Sequence, residues 1–229
     1  MYNKPQKLVA EFVGTFALIF FGAGSICADQ FLRTAGQGGL GLLGIALAHG
    51  LAIGIMVTSL GHISGGHFNP AVTIGFWVTR KLSTIDTLAF WAAQLAGASV
   101  AAYLLRLLPV DVWTAVRLGT PDLASGVSPA NGMIFEGIMT FFLVFVVFAT
   151  AVDPRGAFNK IAGFAIGLTI TTAALFGGPF TGAALNPARA FGPALAANHW
   201  TNHAVYWIGP LAGGVAAGWL YDMFFLKKE

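Results

Sequence analysis

The sequence predicts an all-α membrane protein: six transmembrane helices plus two re-entrant half-helices, arranged as an inverted repeat. Three observations carry that expectation. The 229-residue chain is 56% hydrophobic and only 9% charged, with a mean hydropathy of +0.75; a soluble domain carries about 25% charged residues. Six runs of about twenty apolar residues recur along it, each long enough to cross a hydrocarbon core. The triplet Asn-Pro-Ala occurs twice, as Asn69-Pro70-Ala71 and Asn186-Pro187-Ala188, each time between apolar runs. A soluble chain this poor in charge would expose large apolar patches, and thirty glycines suit the close approach of helices in lipid. The net charge of +3 is too weak to argue for a nucleic-acid partner. The lone Cys27 excludes an internal disulfide. No cofactor is implied.

In order, the expected spans lie near Leu8 to Cys27, Leu40 to Leu60, Leu88 to Leu108, Met133 to Val152, Ile161 to Phe180 and Ala204 to Phe225. The first is too long for a signal-peptide core, so no cleavable signal is expected. A glycine-rich link with Arg33 joins the first two spans, and the most polar loop, Asp111 to Ser128, joins the third and fourth. Each Asn-Pro-Ala reads as a helix start, because Asn is a good N-cap and Pro is favoured at the first helical position. The helical pattern then stops near Thr79 and near Ala197. Such a helix is roughly 15 Å long, half the hydrocarbon thickness.

Lys4, Lys7, Arg80, Lys81, Arg155, Lys160, Lys227 and Lys228 fall on one side of this arrangement, and Arg33, Arg106 and Arg117 on the other. The bias puts both termini in the cytoplasm, and the expected location is the cell's inner (plasma) membrane. The two triplets are 117 residues apart, and at that offset His49-Gly50-Leu51 aligns with Ile166-Gly167-Leu168. Glu11 with Thr15-Phe16 matches Glu136 with Thr140-Phe141 at an offset of 125. Each half, about 1–110 and 130–229, holds an odd number of spans, so the second must be inverted. Inverted repeats build midplane sites from broken helices, and non-helical backbone at that depth must be buried or line a wet cavity.

These residues give the chain a resemblance to the aquaporin family of major intrinsic proteins. It rests on the block from His62 to Thr73, the block from Asn186 to Ala194, and the Glu-x-x-x-Thr-Phe opening of each half, and it covers essentially the whole chain. The resemblance implies a single transmembrane channel domain, a bacterial-type water channel with one pore per chain and assembly as a homotetramer. The expected function is passive passage of water and small neutral solutes such as ammonia, glycerol and urea, with protons and ions excluded, and no enzyme activity. Two alternatives stand beside it: a glycerol or small-solute facilitator with little water flux, and a proton-coupled secondary transporter using Glu11 and Glu136 as relays.

By the family pattern, Asn69 and Asn186 present amides to the lumen. The narrow filter falls on His49, Ala174, Ala183 and Arg189, the last a charge at membrane depth of the kind that faces a wet cavity or a partner. This His–Ala–Ala–Arg set departs from strict water channels, which resemble Phe, His and a small residue before the Arg. It is closer to plant vacuolar-membrane members, and it lacks the Trp and Phe wall of glycerol facilitators. Ala190, Ala194 and Tyr206-Trp207 resemble the water branch. Family resemblance also assigns the carbonyls of Gly65, Gly66, His67, Phe68, Gly182, Ala183, Ala184 and Leu185 to the lumen wall.

Glu11 and Glu136 lie inside apolar spans, where a carboxylate is expensive unless hydrogen-bonded. They are expected to accept hydrogen bonds from backbone N–H groups of the re-entrant loops. His62 and His67 have no Cys or carboxylate nearby to complete a metal site, so no metal is expected and they are read as loop-bracing. Ser64 with either histidine is the sole candidate nucleophile and base, with no hydrolase signature around it. Cys27 lies far from Ala183, where some relatives carry a mercury-sensitive cysteine.

Overall fold

The computed structural model describes residues 2–156 and 161–226. Helix α1 (Lys4–Ala17) starts on Asn3, whose side chain accepts from the Gln6 N–H while the Gln6 side chain accepts from the Asn3 N–H, a reciprocal cap. It continues through a π-helical turn (Leu18–Ala23) into α2 (Gly24–Thr34), making one 31-residue span. Helix α3 (Gly41–Ser64) follows, then the half-helix α4 (Pro70–Val78) and α5 (Thr84–Leu105). A short α6 (Val110–Ala115) and a 3-10 turn (Arg117–Gly119) occupy the polar loop. Helix α7 (Pro129–Val147) runs into a second π-helical stretch (Phe148–Val152). The chain ends with α8 (Ala162–Thr181), the half-helix α9 (Pro187–Ala197) and α10 (Val205–Phe224).

Five of these spans, Lys4–Thr34, Gly41–Ser64, Thr84–Leu105, Pro129–Val152 and Ala162–Thr181, are long and apolar enough to cross a membrane by length and composition; α10 matches them in length, with 20 residues, but is less apolar and is not among the five. At two helix starts that differ from the sequence expectation, capping is the reason. Helix α1 starts at Lys4 because Asn3 caps it. Helix α5 starts four residues early because the Ser83 side chain accepts the Asp86 N–H. Of the basic residues used to orient the chain, Lys160, Lys227 and Lys228 lie outside the described residues.

Helices pair as α3 on α8, α1 on α5 and α7 on α10. Glycine makes all three contacts possible by backbone approach: a Cβ on Gly97 of α5 would sit 2.3 Å from the Phe12 carbonyl oxygen of α1. A Cβ on Gly50 would sit 2.4 Å from the Gly167 carbonyl oxygen, and one on Gly213 only 2.1 Å from that of Gly137. Each half-helix also packs on the last long helix of the other half: α9 lies against α5, and α4 against α10. Neither half therefore encloses its own half-helix. The outer surface carries exposed Val9, Phe21, Leu51, Ile55, Phe142, Ile208 and Trp219, an apolar area that suits lipid and not water.

Candidate functional site

Both half-helices begin where local rules say they should. Asn69 and Asn186 are extended N-caps with Pro at the first helical position. The Asn69 Oδ1 accepts from Ala71 N at 2.8 Å; the Asn186 Oδ1 accepts from Ala188 N at 2.9 Å and Arg189 N at 3.3 Å. Each amide nitrogen then reaches across to the other half. Asn69 Nδ2 donates to the Leu185 carbonyl, and Asn186 Nδ2 to the Phe68 carbonyl, both at 2.9 Å. The two N-termini thus meet within a side chain's length, and their positive ends converge. One N–H of each amide goes to the cross-link and one is left over.

Phe68 and Leu185 make this junction by standing in left-handed backbone, with φ of +48° and +53°, a conformation that non-glycine residues adopt at a cost. The twist aims each carbonyl at the opposite Asn and each N–H at a buried carboxylate. Phe68 N donates to Glu11 Oε2, and Leu185 N to Glu136 Oε2, both at 2.7 Å. Glu11 also receives Ser64 Oγ at 2.6 Å, His67 N at 3.0 Å and Gln94 Nε2 at 2.7 Å. Glu136 also receives Thr181 Oγ1 at 2.6 Å and Ala184 N at 2.9 Å. Every partner donates, so the desolvation of each carboxylate is offset by hydrogen bonds. The expected contacts with the re-entrant loops are in place. The side-chain partners Ser64, Gln94 and Thr181 were not anticipated, although Ser64 and Thr181 share the repeat offset of the two triplets and could have been found that way.

Beyond Asn186 along α9, Arg189 is 2% exposed. Its Nη1 donates to the Gly119 carbonyl at 2.7 Å, and its Nη2 lies 3.3 Å from His49 Nε2. His49 Nδ1 is 2.9 Å from the Ile45 carbonyl. A carbonyl can only accept, so that nitrogen carries the proton and Nε2 presents a lone pair to Arg189. Gly22 leaves room for the ring, since a Cβ there would come within 2.7 Å of it. Among the described residues the Arg189 Nε has no partner. Gly22 and Gly119 carry no sequence signal for these roles.

These groups line one narrow internal cavity of about 30 Å³; on that measure a water needs roughly 10–15 Å³. His49, Ala174, Ala183 and Arg189 share its wall with Asn69, Asn186, Gly66, His67, Ala184 and Leu185, against apolar Ile53, Val72, Leu143 and Ile170. Gly65, Phe68 and Gly182 do not line it. Gly65 and Gly182 are the left-handed C-caps of α3 and α8, a conformation that favours glycine, and the Phe68 side chain is fully buried. A groove of about 260 Å³ between α3 and α8 is larger. It lies on the outside, and the hydroxyls of Thr58, Ser59 and Thr171 there bond to backbone carbonyls, so no polar group converges on it.

The two loop histidines part company. His67 packs at a tilt against Phe76 with ring centroids 4.2 Å apart and sets Nδ1 3.2 Å from Thr73 Oγ1. His62 meets the Tyr2 ring edge-on. Among the described residues no three metal-ligating side chains cluster. Ser64 points at Glu11 while the His67 ring points at Thr73, which separates the candidate nucleophile from its base.

Fold and site together define a polytopic helical membrane protein with a narrow internal passage at the junction of two half-helices. A family model described as "Major intrinsic protein" matches residues 2–221. Aquaporin TIP4-4 of Zea mays is 44% identical over 97% of this chain and 88% of its own length. Aquaporin TIP2-1 of Arabidopsis thaliana is 42% identical over 98% of this chain and 89% of its own. Among solved structures, the aquaglyceroporin from Plasmodium falciparum superposes with a TM-score of 0.85 at 25% identity, covering 97% of both chains. The chain belongs to the major intrinsic protein, or aquaporin, family: it is an integral membrane channel and not an enzyme.

Proposed function

We propose that this channel passes water together with small neutral solutes such as ammonia, glycerol and urea, and excludes protons and ions. One observation carries the reading: the two Asn-capped half-helices bond to each other across the cavity that His49, Ala174, Ala183 and Arg189 also line. Converging helix N-termini make that point unfavourable for a cation, and spare amide N–H groups receive the oxygen of a passing neutral molecule. This is the general logic of aquaporin-type pores. The two alanines support a wider opening than a filter walled by bulkier side chains.

The further assignments belong to the same proposal. Asn69-Pro70-Ala71 and Asn186-Pro187-Ala188 form the junction. His49, Ala174, Ala183 and Arg189 are the filter. The carbonyls of Gly66, His67, Ala184 and Leu185 supply acceptors, and Glu11 and Glu136 position the two loops. The all-donor surroundings of both carboxylates favour positioning over proton relay. The repeats span about 1–110 and 130–229, the chain works as a homotetramer in the inner (plasma) membrane, and its termini face the cytoplasm.

Stopped-flow light scattering on proteoliposomes tests this, with His49→Phe beside the wild type. Wild type should speed osmotic shrinkage and pass urea or glycerol, whereas the bulkier ring should keep water and lose the larger solutes. Shrinkage no faster than in empty vesicles overturns the water assignment. Solute fluxes equal to those of empty vesicles overturn the wider filter.

A further inference from the structure

A polar cluster joined to the cavity wall through the Gly119 carbonyl and Arg189 is not used above. Arg117, Leu118 and Gly119 follow one another in left-handed backbone, with φ of +50°, +54° and +70°. This strap is held at three points. The Leu118 side chain is fully buried. The Gly119 carbonyl takes Arg189 Nη1 at 2.7 Å. Arg117 Nη1 lies 3.2 Å from Asp122 Oδ2 and 3.0 Å from His199 Nε2. Asp122 is itself fixed by the Leu123 N–H at 2.9 Å and by Asn202 Nδ2 at 3.3 Å. Burial alone would raise its carboxyl, but the hydrogen bonds from His199, Leu123 and Asn202 win and hold it below the usual carboxylate range. Asp122 therefore stays ionised near neutral pH.

His199 Nε2 faces two partners with opposite demands. It is 2.8 Å from Asp122 Oδ2, which can only accept, and 3.0 Å from Arg117 Nη1, which can only donate. A neutral ring can turn its lone pair to Arg117. A protonated ring must donate, so it binds Asp122 and repels Arg117. The other charged and titratable groups nearby are engaged elsewhere: Arg189 lies beyond Gly119, the Tyr206 hydroxyl donates to the Thr181 carbonyl, and His203 accepts from Trp207 Nε1. Loss of the His199 contact leaves Arg117 held by Asp122 alone and so loosens the end of the strap that precedes the Gly119 carbonyl bonded to Arg189. Arg189 is buried and lines the cavity, so a guanidinium loosened from the Gly119 carbonyl has the opening to move into.

We propose that Asp122 and His199 are positioning residues for solute selection: with Arg117 they hold the Gly119 carbonyl that keeps Arg189 against the wall, and protonation of His199 lets Arg189 narrow the mouth. The proposal rests on the channel reading above. An exposed ion pair biases such an equilibrium by at most about fivefold, so urea and glycerol permeability should fall about two- to fivefold between about pH 8 and about pH 5, and water permeability less. The experiment is stopped-flow measurement of water, urea and glycerol in proteoliposomes buffered equally inside and out. His199→Gln should flatten the solute profile, His203→Gln should leave it intact, and Asp122→Asn should show the low solute flux at every pH. A flat wild-type profile overturns the proposal, as does the same profile in folded His199→Gln. If that variant does not fold, wild-type solute flux in Asp122→Asn at high pH overturns it equally. Failure of the channel reading is distinct: no water flux above empty vesicles at any pH.

Discussion

Replacing Glu136 by Gln removes one acceptor from a site built wholly of donors. The Oε2 position faces the Leu185 N–H at 2.7 Å; the Oε1 position faces Thr181 Oγ1 at 2.6 Å and Ala184 N at 2.9 Å. The introduced amide does least harm with its NH2 toward Leu185, which leaves that buried N–H unpaired at a cost of about 1–3 kcal/mol. The two remaining bonds lose their charge assistance, about 1 kcal/mol each. The sum is about 3–5 kcal/mol, a large share of the roughly 5–15 kcal/mol that holds a typical fold. For a chain of this size that is a fall in Tm of roughly 6–20 °C. Glu11→Gln should cost about 1 kcal/mol less, because Gln94 Oε1 has no partner among the described residues and can turn to accept from the introduced amide. Thermal unfolding of the three purified proteins in one detergent measures both quantities. A Tm for Glu136→Gln within about 2 °C of wild type, or a larger loss in Glu11→Gln than in Glu136→Gln, refutes the reasoning.

Gly213→Val should abolish folded yield, since even a Cβ would lie 2.1 Å from the Gly137 carbonyl oxygen and 3.0 Å from Phe141 N, backbone atoms that cannot give way as a side chain can. Gly61→Ala, whose nearest neighbour would be Val57 Cγ1 at 3.6 Å, should be tolerated; size-exclusion profiles distinguish the two. Beside α10, the Arg155 guanidinium binds Asp153 through Nε at 2.9 Å and Nη2 at 2.7 Å and holds that carboxyl well below its ordinary value. A depressed folded-state value stabilises above the unfolded value of about 3.9 and is lost as pH falls through the folded one. The Tm advantage of wild type over Arg155→Ala should therefore be full near pH 6 and shrink below about pH 4; an advantage that grows on acidification contradicts the assignment. Mercurials should inhibit water flux poorly, because Cys27 is fully buried and outside the cavity lining. Full block that disappears in Cys27→Ser would show the passage to run elsewhere.

Much of the architecture was legible before any coordinates, because it follows rules that act over a few residues. Asn before Pro starts a helix wherever it stands, so α4 and α9 could be drawn, with their ends at Thr79 and Ala197. Apolar length alone marks a span, so the long helices fell within a few residues of expectation. The pairing of Glu11 and Glu136 with loop N–H groups was accessible for a similar reason: a carboxylate in lipid must find donors, and the re-entrant loops are where unpaired N–H groups occur. The cap at Asn3 and the extension to Thr34 escaped notice because the polar ends of a span carry no hydropathy signal.

Sequence by itself determined which segments cross the membrane, where the two short helices begin, and that charge at Arg189 needs a polar surrounding. Only the tertiary structure decided that Asn69 reaches Leu185, that Asn186 reaches Phe68, that Gly119 fixes Arg189, and that one His199 nitrogen is shared between Arg117 and Asp122. The physical reason is separation along the chain. These partners are 70 to 118 residues apart, save the neighbouring Arg117 and Asp122, and no local preference encodes a contact that exists only once the helices have packed. The left-handed turns at Phe68 and Leu185 belong with them, since the bonds that hold such costly backbone come from distant elements.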